Sequence, residues 1–474
     1  MPDRYHIHTA PAGPRFHRVG KFGNVDWRED CSRCSNCVKL RCLYEVYRHE
    51  AAYNRDPLVS VETLNECKAC LSCVQGCTKG LLSVSVNPEF LAMGDDYWKP
   101  DMLLSTWVQA DAGKIPVSGA GYRGRFSGPG FDSIWTDKSE IVRPTRDGIH
   151  GREYISTSVD IGPKPMRLRF SAEGALLSSP SRLLEIQLPA ILDLPGWPVE
   201  SKHLAAARAK AAEELKSLAM MPADEASELP SDLLACVVPI LNENDIDARR
   251  DLVAAVRMAQ VADGPRTAEL AGRLQAINPQ LVVSVRMVLS PSTADRVMEL
   301  SGQGIKVFHL CADQHGRERL EDGRTGRHIK DALRDVHGRL VKEGLRDEVT
   351  LIVSGGIALA EHMAKAIICG ADLVAVDTPP LVALGCHVCG GGQACDAGRN
   401  CPIDIGTVDA DYAARRIVNL MGAWHSQLIE VLGAMGIREV RRLRGEVGRG
   451  IFMEDIEKEA FGDLARVPRA GVQA

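Results

Sequence analysis

The chain has 474 residues, 57 basic against 62 acidic, and a net charge of -5. That length holds about three domain-sized units, and the near balance of charge gives no electrostatic reason to expect nucleic acid or an anionic membrane surface as a partner. The N-terminus, MPDRYHIHTA, has no basic region followed by an apolar run, and no stretch stays apolar for the roughly 20 residues of a membrane span, so the expected location is the cytoplasm.

In chain order, an extension over residues 1–30 leads into a cysteine-rich module at 31–90. It carries eight of the fifteen cysteines, as two groups: Cys31, Cys34, Cys37 and Cys42, then Cys67, Cys70, Cys73 and Cys77. Each group opens with three cysteines separated by two residues, a spacing that lets three thiolates converge on one [4Fe–4S] cubane from a tight loop. In two-cluster ferredoxins the fourth cysteine serves the opposite cluster. The expected wiring is therefore Cys31, Cys34, Cys37 and Cys77 on one cluster and Cys67, Cys70, Cys73 and Cys42 on the other. Leu43 and Thr78 stand where such ferredoxins usually have proline, and the first group has four residues before its last cysteine. Two zinc sites are the competing reading, but a third cysteine two residues on is unusual for a zinc knuckle. A disulfide framework is not expected in a chain this long without a secretory leader.

Residues 91–181 contain PVSGAGYRGRFSGPGFDSIW and RPTRDGIHGREY, rich in Gly with Arg and Tyr. They predict an irregular linker wrapped over another surface.

Between residues 182 and 385 short apolar runs alternate with helical periodicity, the pattern of βα units on a parallel sheet. The runs are LEIQLPAIL, LLACVVPIL, LVVSVRMVL, IKVFHLCA, VTLIVSGG and ADLVAVDT; HLAAARAKAAEELKSLA and IDARRDLVAAVRMAQVA read as helices between them. Six strands suit either an open sheet or a (β/α)8 barrel with two weak units. Cys236, Cys311 and Cys369 lie in or beside these runs and read as small buried hydrophobes. His309, at a strand end that could face a barrel mouth, reads by default as a core or surface histidine, and Trp107, Trp135 and Trp424 as packing residues.

A third cysteine group, Cys386, Cys389, Cys395 and Cys401, occupies a Gly-rich loop at 386–407, and a polar helical tail is expected over 408–474. Here the sequence resembles a known family. TPPLVALGC followed by CPIDIGT is similar to the strand end and cluster loop of the FMN-binding domain of glutamate synthase. SVRMV at 284–288 and SGGIALAEHMAKAIICGADLV resemble further segments of that domain. The N-terminal two-cluster module ahead of it looks like the FMN subunit of split, multi-subunit glutamate synthases.

The resemblance implies a TIM-like barrel, shortened if two units are missing, behind a 2[4Fe–4S] ferredoxin-like module. It places FMN at the barrel's C-terminal mouth and a third cluster, [3Fe–4S] or [4Fe–4S], beside it on Cys386, Cys389, Cys395 and Cys401. Ser354, Gly355, Gly356, Asp377 and Thr378 match the phosphate site, and Arg286 replaces a lysine near the flavin ring. The implied activity is an oxidoreductase subunit relaying single electrons through clusters to FMN, which reduces a substrate such as 2-iminoglutarate. Glutaminase and Gly-repeat subunits and an electron donor protein are the implied partners. The family's NTGEGGE-like and GGTGAS loops have no counterpart here, the second being replaced by CADQHGRERLEDGRTGRH. That absence supports an alternative, an electron-transfer subunit of a different redox complex that makes no glutamate. Catalytic residues are not identifiable from the sequence.

Overall fold

The computed structural model describes residues 5–462 apart from 44–69, 115–129, 137–154, 165–169, 178–181, 198–201, 390–404 and the single positions 17, 29, 33, 35, 176, 321 and 323. At its centre eight parallel strands close into a barrel in chain order. They are β1 (Ala190–Leu192), β2 (Ala219–Pro222), β3 (Val237–Leu241), β4 (Met258–Ala262), β5 (Val282–Val288), β6 (Val307–Cys311), β7 (Thr350–Ser354) and β8 (Leu373–Val376). β8 pairs with β1, and β4 with β5, so no edge is left unpaired.

The two strands that the apolar runs do not mark are β2 and β4. Ala219, Met220, Met221 and MAQVA at 258–262 lie at the ends of segments that read as helices. The helices stop earlier, at Glu214 and Ala255. Both strands are short and buried on nearly every residue, so they carry no period-two alternation to mark them. The run LEIQLPAIL also divides. Leu184–Ile186 pairs antiparallel with Val159–Ile161, and only Ala190–Leu192 enters the barrel.

The surrounding helices follow from their apolar spacing. Ile329–Lys342 buries Ile329, Ala332, Leu333, Val336 and Leu340 against the sheet and carries Arg339 and Lys342 in its last turn, facing the negative helix end. Lys202–Glu214 is alanine-rich; Ala205, Ala207, Ala209, Ala211 and Ala212 are buried, and their small side chains let the helix Ala410–Ala434 pack closely on it.

Two expectations are corrected. The polar tail is instead a core helix, buried from Ala413 to Leu432 through Ile417, Leu420, Met421 and Trp424, because its polar residues fall mostly on one side. The linker is not irregular throughout, since Pro100–Ala112 is a helix that buries Met102, Leu103 and Trp107. Arg416, wholly buried, ties these pieces together: its guanidinium donates to Ala383 O and Ala12 O at 2.5 Å and to Asp111 at 2.8 Å.

At the closed end of the barrel, Asp372 accepts from Arg346 at 2.8 Å, Arg444 at 2.7 Å and the Leu351 N–H at 2.8 Å. Ahead of the barrel, strands Phe22–Trp27 and Leu82–Val86 pair antiparallel and bracket the N-terminal cysteines. Among the described residues no helix is long and apolar enough to cross a membrane.

Candidate active site at the barrel mouth

Side chains two residues apart on one strand point the same way, and this period brings a polar group into the C-terminal end of the barrel. Ser284 and Arg286 come from β5, His309 and Cys311 from β6, Gln260 from β4 and Ser354 from β7. Asp193, directly after β1, completes it. The Arg286 guanidinium donates to both Asp193 oxygens, at 2.9 and 3.1 Å, and to Gln260 Oε1 at 3.2 Å. Gln260 Nε2 donates to Ser284 Oγ and lies 3.1 Å from His309 Nδ1, making that nitrogen the acceptor. The ring proton then sits on Nε2, which donates to Ser354 Oγ at 2.9 Å.

Burial sets the ionisation of this group. Burial alone would raise the Asp193 carboxyl, but Arg286 and then His309 bring it below the usual carboxylate range. Burial pushes His309 down to about 3, so the ring is neutral. Burial likewise pushes the Cys311 thiol up to about 12, so it is no thiolate. Asp377, after β8, is pushed up to about 7 by burial and then by the Asp193 charge, against the opposing Thr378 N–H.

The turn after β7 carries Gly355 and Gly356 at φ +91° and +69°, where other residues are strained. A Cβ on Gly356 would lie 2.5 Å from Gly316 N and 2.8 Å from the Tyr97 hydroxyl, so only glycine admits the loop after β6 this closely. Tyr97 belongs to residues 94–98, which cover this side of the mouth. Its hydroxyl donates to Gly356 O at 2.5 Å, Trp98 Nε1 donates to Gln314 O at 3.0 Å, and Asp95 Oδ2 lies 2.9 Å from His315 Nε2. Gly94 N donates to His387 O, joining the same segment to the third cysteine loop.

The donor set fits a phosphate-bearing ligand. Thr378 Oγ1 is buried with no hydrogen-bond partner at the end of β8, and among the described residues the N–H groups of Gly356 and Ile357 meet no acceptor. Ser354 is engaged with His309, and Arg286 is paired with Asp193 instead of standing as a free cation. Thr325 and Gly326 lie in a hairpin, Arg317–Arg319 with Thr325–His328, where Gly326 packs on Glu318.

The cysteines divide by position. Cys31, Cys34, Cys37, Cys42, Cys70, Cys73, Cys77, Cys386 and Cys389 form no disulfide with one another; Cys67, Cys395 and Cys401 lie outside the described residues. Helices Asn36–Lys39 and Ser72–Gln75, one from each N-terminal group, pack together. Backbone amides point at sulfur: Leu81 N–H donates to Cys77 Sγ and Val388 N–H to Cys386 Sγ, both at 3.4 Å, and Leu43 N–H reaches Cys70. The Leu81 and then the Lys79 amide hold the Cys77 thiol below its ordinary value. N–H···S bonds of this kind are ones a cluster-ligating thiolate accepts, but Cys31, Cys34, Cys37 and Cys77, all described, are not gathered into one donor set. Among the described residues no three His, Cys, Asp or Glu side chains are gathered closely enough to hold a metal ion.

A family model described as the conserved region in glutamate synthase matches residues 256–438, from the strand β4 through the third cysteine loop into the long helix. The archaeal-type glutamate synthase [NADPH] of Dehalococcoides mccartyi is 24% identical over 498 residues, covering 91% of this chain and 96% of its own length. Over residues 256–438 the chain is therefore similar to the conserved region of glutamate synthase. The archaeal glutamate synthase [NADPH] of Archaeoglobus fulgidus is 26% identical, covering 94% of this chain and 97% of its own. That of Methanocaldococcus jannaschii reaches 40% over 140 residues, 28% of each chain. Among solved structures, the recombinant flavin-binding domain of baker's yeast flavocytochrome b2 has a TM-score of 0.41 at 14% identity, over 72% of this chain and 83% of its own.

Three residues of the mouth escape a reading of the sequence. Asp193 and Gln260 belong to no motif. His309 reads there by default as a core or surface histidine at a strand end that could face the mouth; the structure buries it and binds it into the polar group. The signal the sequence does offer is a pair of polar residues two apart, Ser284 with Arg286, inside an apolar run. Tyr97 is hidden in the linker.

Proposed function

We propose that this chain is the flavin-bearing, iron–sulfur subunit of a glutamate synthase-type oxidoreductase. The observation that carries the reading is the near full-length likeness to archaeal-type glutamate synthases [NADPH], which spans the N-terminal cysteines as well as the barrel. Bound FMN would supply exchange between one-electron and two-electron hydride chemistry, and the clusters one-electron transfer. Thr378, Gly355 and Gly356 would hold the phosphate. Cys31, Cys34, Cys37 and Cys77 would ligate one [4Fe–4S] cluster, Cys42, Cys67, Cys70 and Cys73 another, and Cys386, Cys389, Cys395 and Cys401 the third. Leu43 N–H on Cys70 supports this crossed wiring, because it sets Cys42 beside the second group.

In the mouth the residues have separable tasks. Asp193 fixes the Arg286 guanidinium; Gln260 fixes the His309 tautomer; His309 keeps Ser354 oriented. Tyr97 and Trp98 close the side of the mouth over Gly356 and exclude water there. Glutaminase and Gly-repeat subunits and an NADPH-linked electron donor would be separate chains.

The second reading, a relay subunit that makes no glutamate, is favoured by one observation: Arg286 is already paired with Asp193 and does not stand free to meet a substrate carboxylate. Anaerobic purification followed by iron, sulfide and flavin quantification tests the common part. About 12 irons with FMN are expected for three [4Fe–4S] clusters and about 11 if the third is [3Fe–4S]; zinc without sulfide would refute it. Glutamate formation from glutamine and 2-oxoglutarate by the assembled complex separates the two readings, and its absence at full flavin loading refutes the first.

A further inference from the structure

Asp377 closes β8 one residue before the buried Thr378 hydroxyl, which makes no hydrogen bond of good geometry and has the Asp377 carboxyl itself as its neighbouring acceptor. Its side chain is buried, and its Oδ1 accepts the Thr378 N–H at 2.6 Å, a donor that an anion seated at Thr378 would otherwise meet. Charged and titratable groups face it from every neighbouring element: Asp193 beyond β1, Arg286 on β5, Cys311 on β6 and Tyr97 from the covering segment. Asp313, Arg317 and Asp132 act electrostatically on Tyr97 as well. Arg286 is bound bidentately by Asp193. Among the described residues, Asp193 and Asp377 both reach the centre of the mouth, and the Arg286 cation there is already paired. An ionised Asp377 would add a negative charge beside a bound phosphate, and the Arg286 cation of the mouth is already committed to Asp193.

We propose that Asp377 is a binding determinant that admits the phosphate of a flavin mononucleotide only when its carboxyl is protonated, and that in the ionised form it turns the phosphate away. The inference rests on the flavin reading above. It makes the mouth selective by ligand charge: an uncharged flavin such as riboflavin is indifferent to Asp377, whereas FMN is not. Burial beside Asp193, which pushes this carboxyl up to about 7, leaves a substantial acid fraction at neutral pH.

The test uses the full chain freed of flavin and titrated anaerobically with FMN or riboflavin from pH 5.5 to 8.5, following quenching of flavin fluorescence. The FMN dissociation constant should rise about ten-fold between pH 6 and pH 8 while that of riboflavin stays level. In Asp377→Asn the FMN slope should flatten and affinity at pH 8 should exceed that of the wild type. A level FMN profile in the wild type overturns the proposal. So does a slope unchanged in Asp377→Asn, which would belong to the second ionisation of the phosphate itself. If neither flavin binds at any pH, the flavin reading falls and takes this one with it; if riboflavin and FMN both bind without pH dependence, only this one falls.

Discussion

Replacing Asp193 by Asn removes the charge that holds Arg286 and leaves the side chain nearly the same size. Asp193 is 1% exposed and the Arg286 side chain 26%, so the pair is largely withdrawn from water. Removing one partner of such a pair typically costs about 3–5 kcal/mol, because the other charge is left uncompensated. Gln260 Oε1 and His309 Nδ1 remain as neutral acceptors at 3.2 and 3.4 Å, which places Asp193→Asn near the lower end, about 3 kcal/mol. The double replacement Asp193→Leu with Arg286→Met removes both charges and should cost less than the single change, since well-packed apolar residues replace buried ion pairs at little or no cost. Urea unfolding followed by circular dichroism, with the barrel transition fitted separately from the N-terminal module, measures both. Asp193→Asn within about 0.5 kcal/mol of wild type, the range of inconsequential surface changes, would refute the view that the mouth is organised around this pair. A double variant as unstable as the sum of two single ones would refute it as well.

Two further outcomes are expected. At the closed end of the barrel, burial alone would raise Asp372, but Arg346, Lys164 and Arg444 hold it well below the usual carboxylate range. Between its usual value of 3.8 and that depressed value the unfolded chain binds more protons than the folded one. Stability from Asp372 is thus full above about pH 5 and lost as pH falls below the usual range. The urea midpoint should drop between pH 5 and pH 2.5, and less steeply in Asp372→Asn. Gly356→Ala should lower the melting temperature and release flavin together, because its methyl would meet Gly316 backbone nitrogen at 2.5 Å at φ +69°; a normally stable variant with unchanged flavin content would show that the loop after β6 gives way freely.

The barrel is legible in the sequence wherever apolar runs are bounded by turn residues. ADLVAVDT and VTLIVSGG announce β8 and β7, and the family likeness turns six strands into eight. β2 and β4 are illegible because buried strands of four or five residues, joined to helices without a Gly or Pro between, share the helix's apolar density. The long helix Ala410–Ala434 misleads for the converse reason: Arg416 and Asn419 look like surface residues, yet their polar atoms are satisfied internally, by Ala383 and Ala12 carbonyls and by Ala10 and Ala110 carbonyls. Arg286 is visible as a cation at a strand end, but its partner Asp193 lies 93 residues away. No local pattern encodes such a pair; only barrel closure brings β1 and β5 residues to one axis.

The helix Pro379–Ala383 has Thr378 at one end and leads to Cys386 three residues beyond the other. Five residues of helix span about 7.5 Å, and the far end is gripped by Arg416 through Ala383 O. The turn at Thr378 and the loop that opens at Cys386 are thereby coupled through one short helix, so a substitution that shifts one end is expected to shift the other.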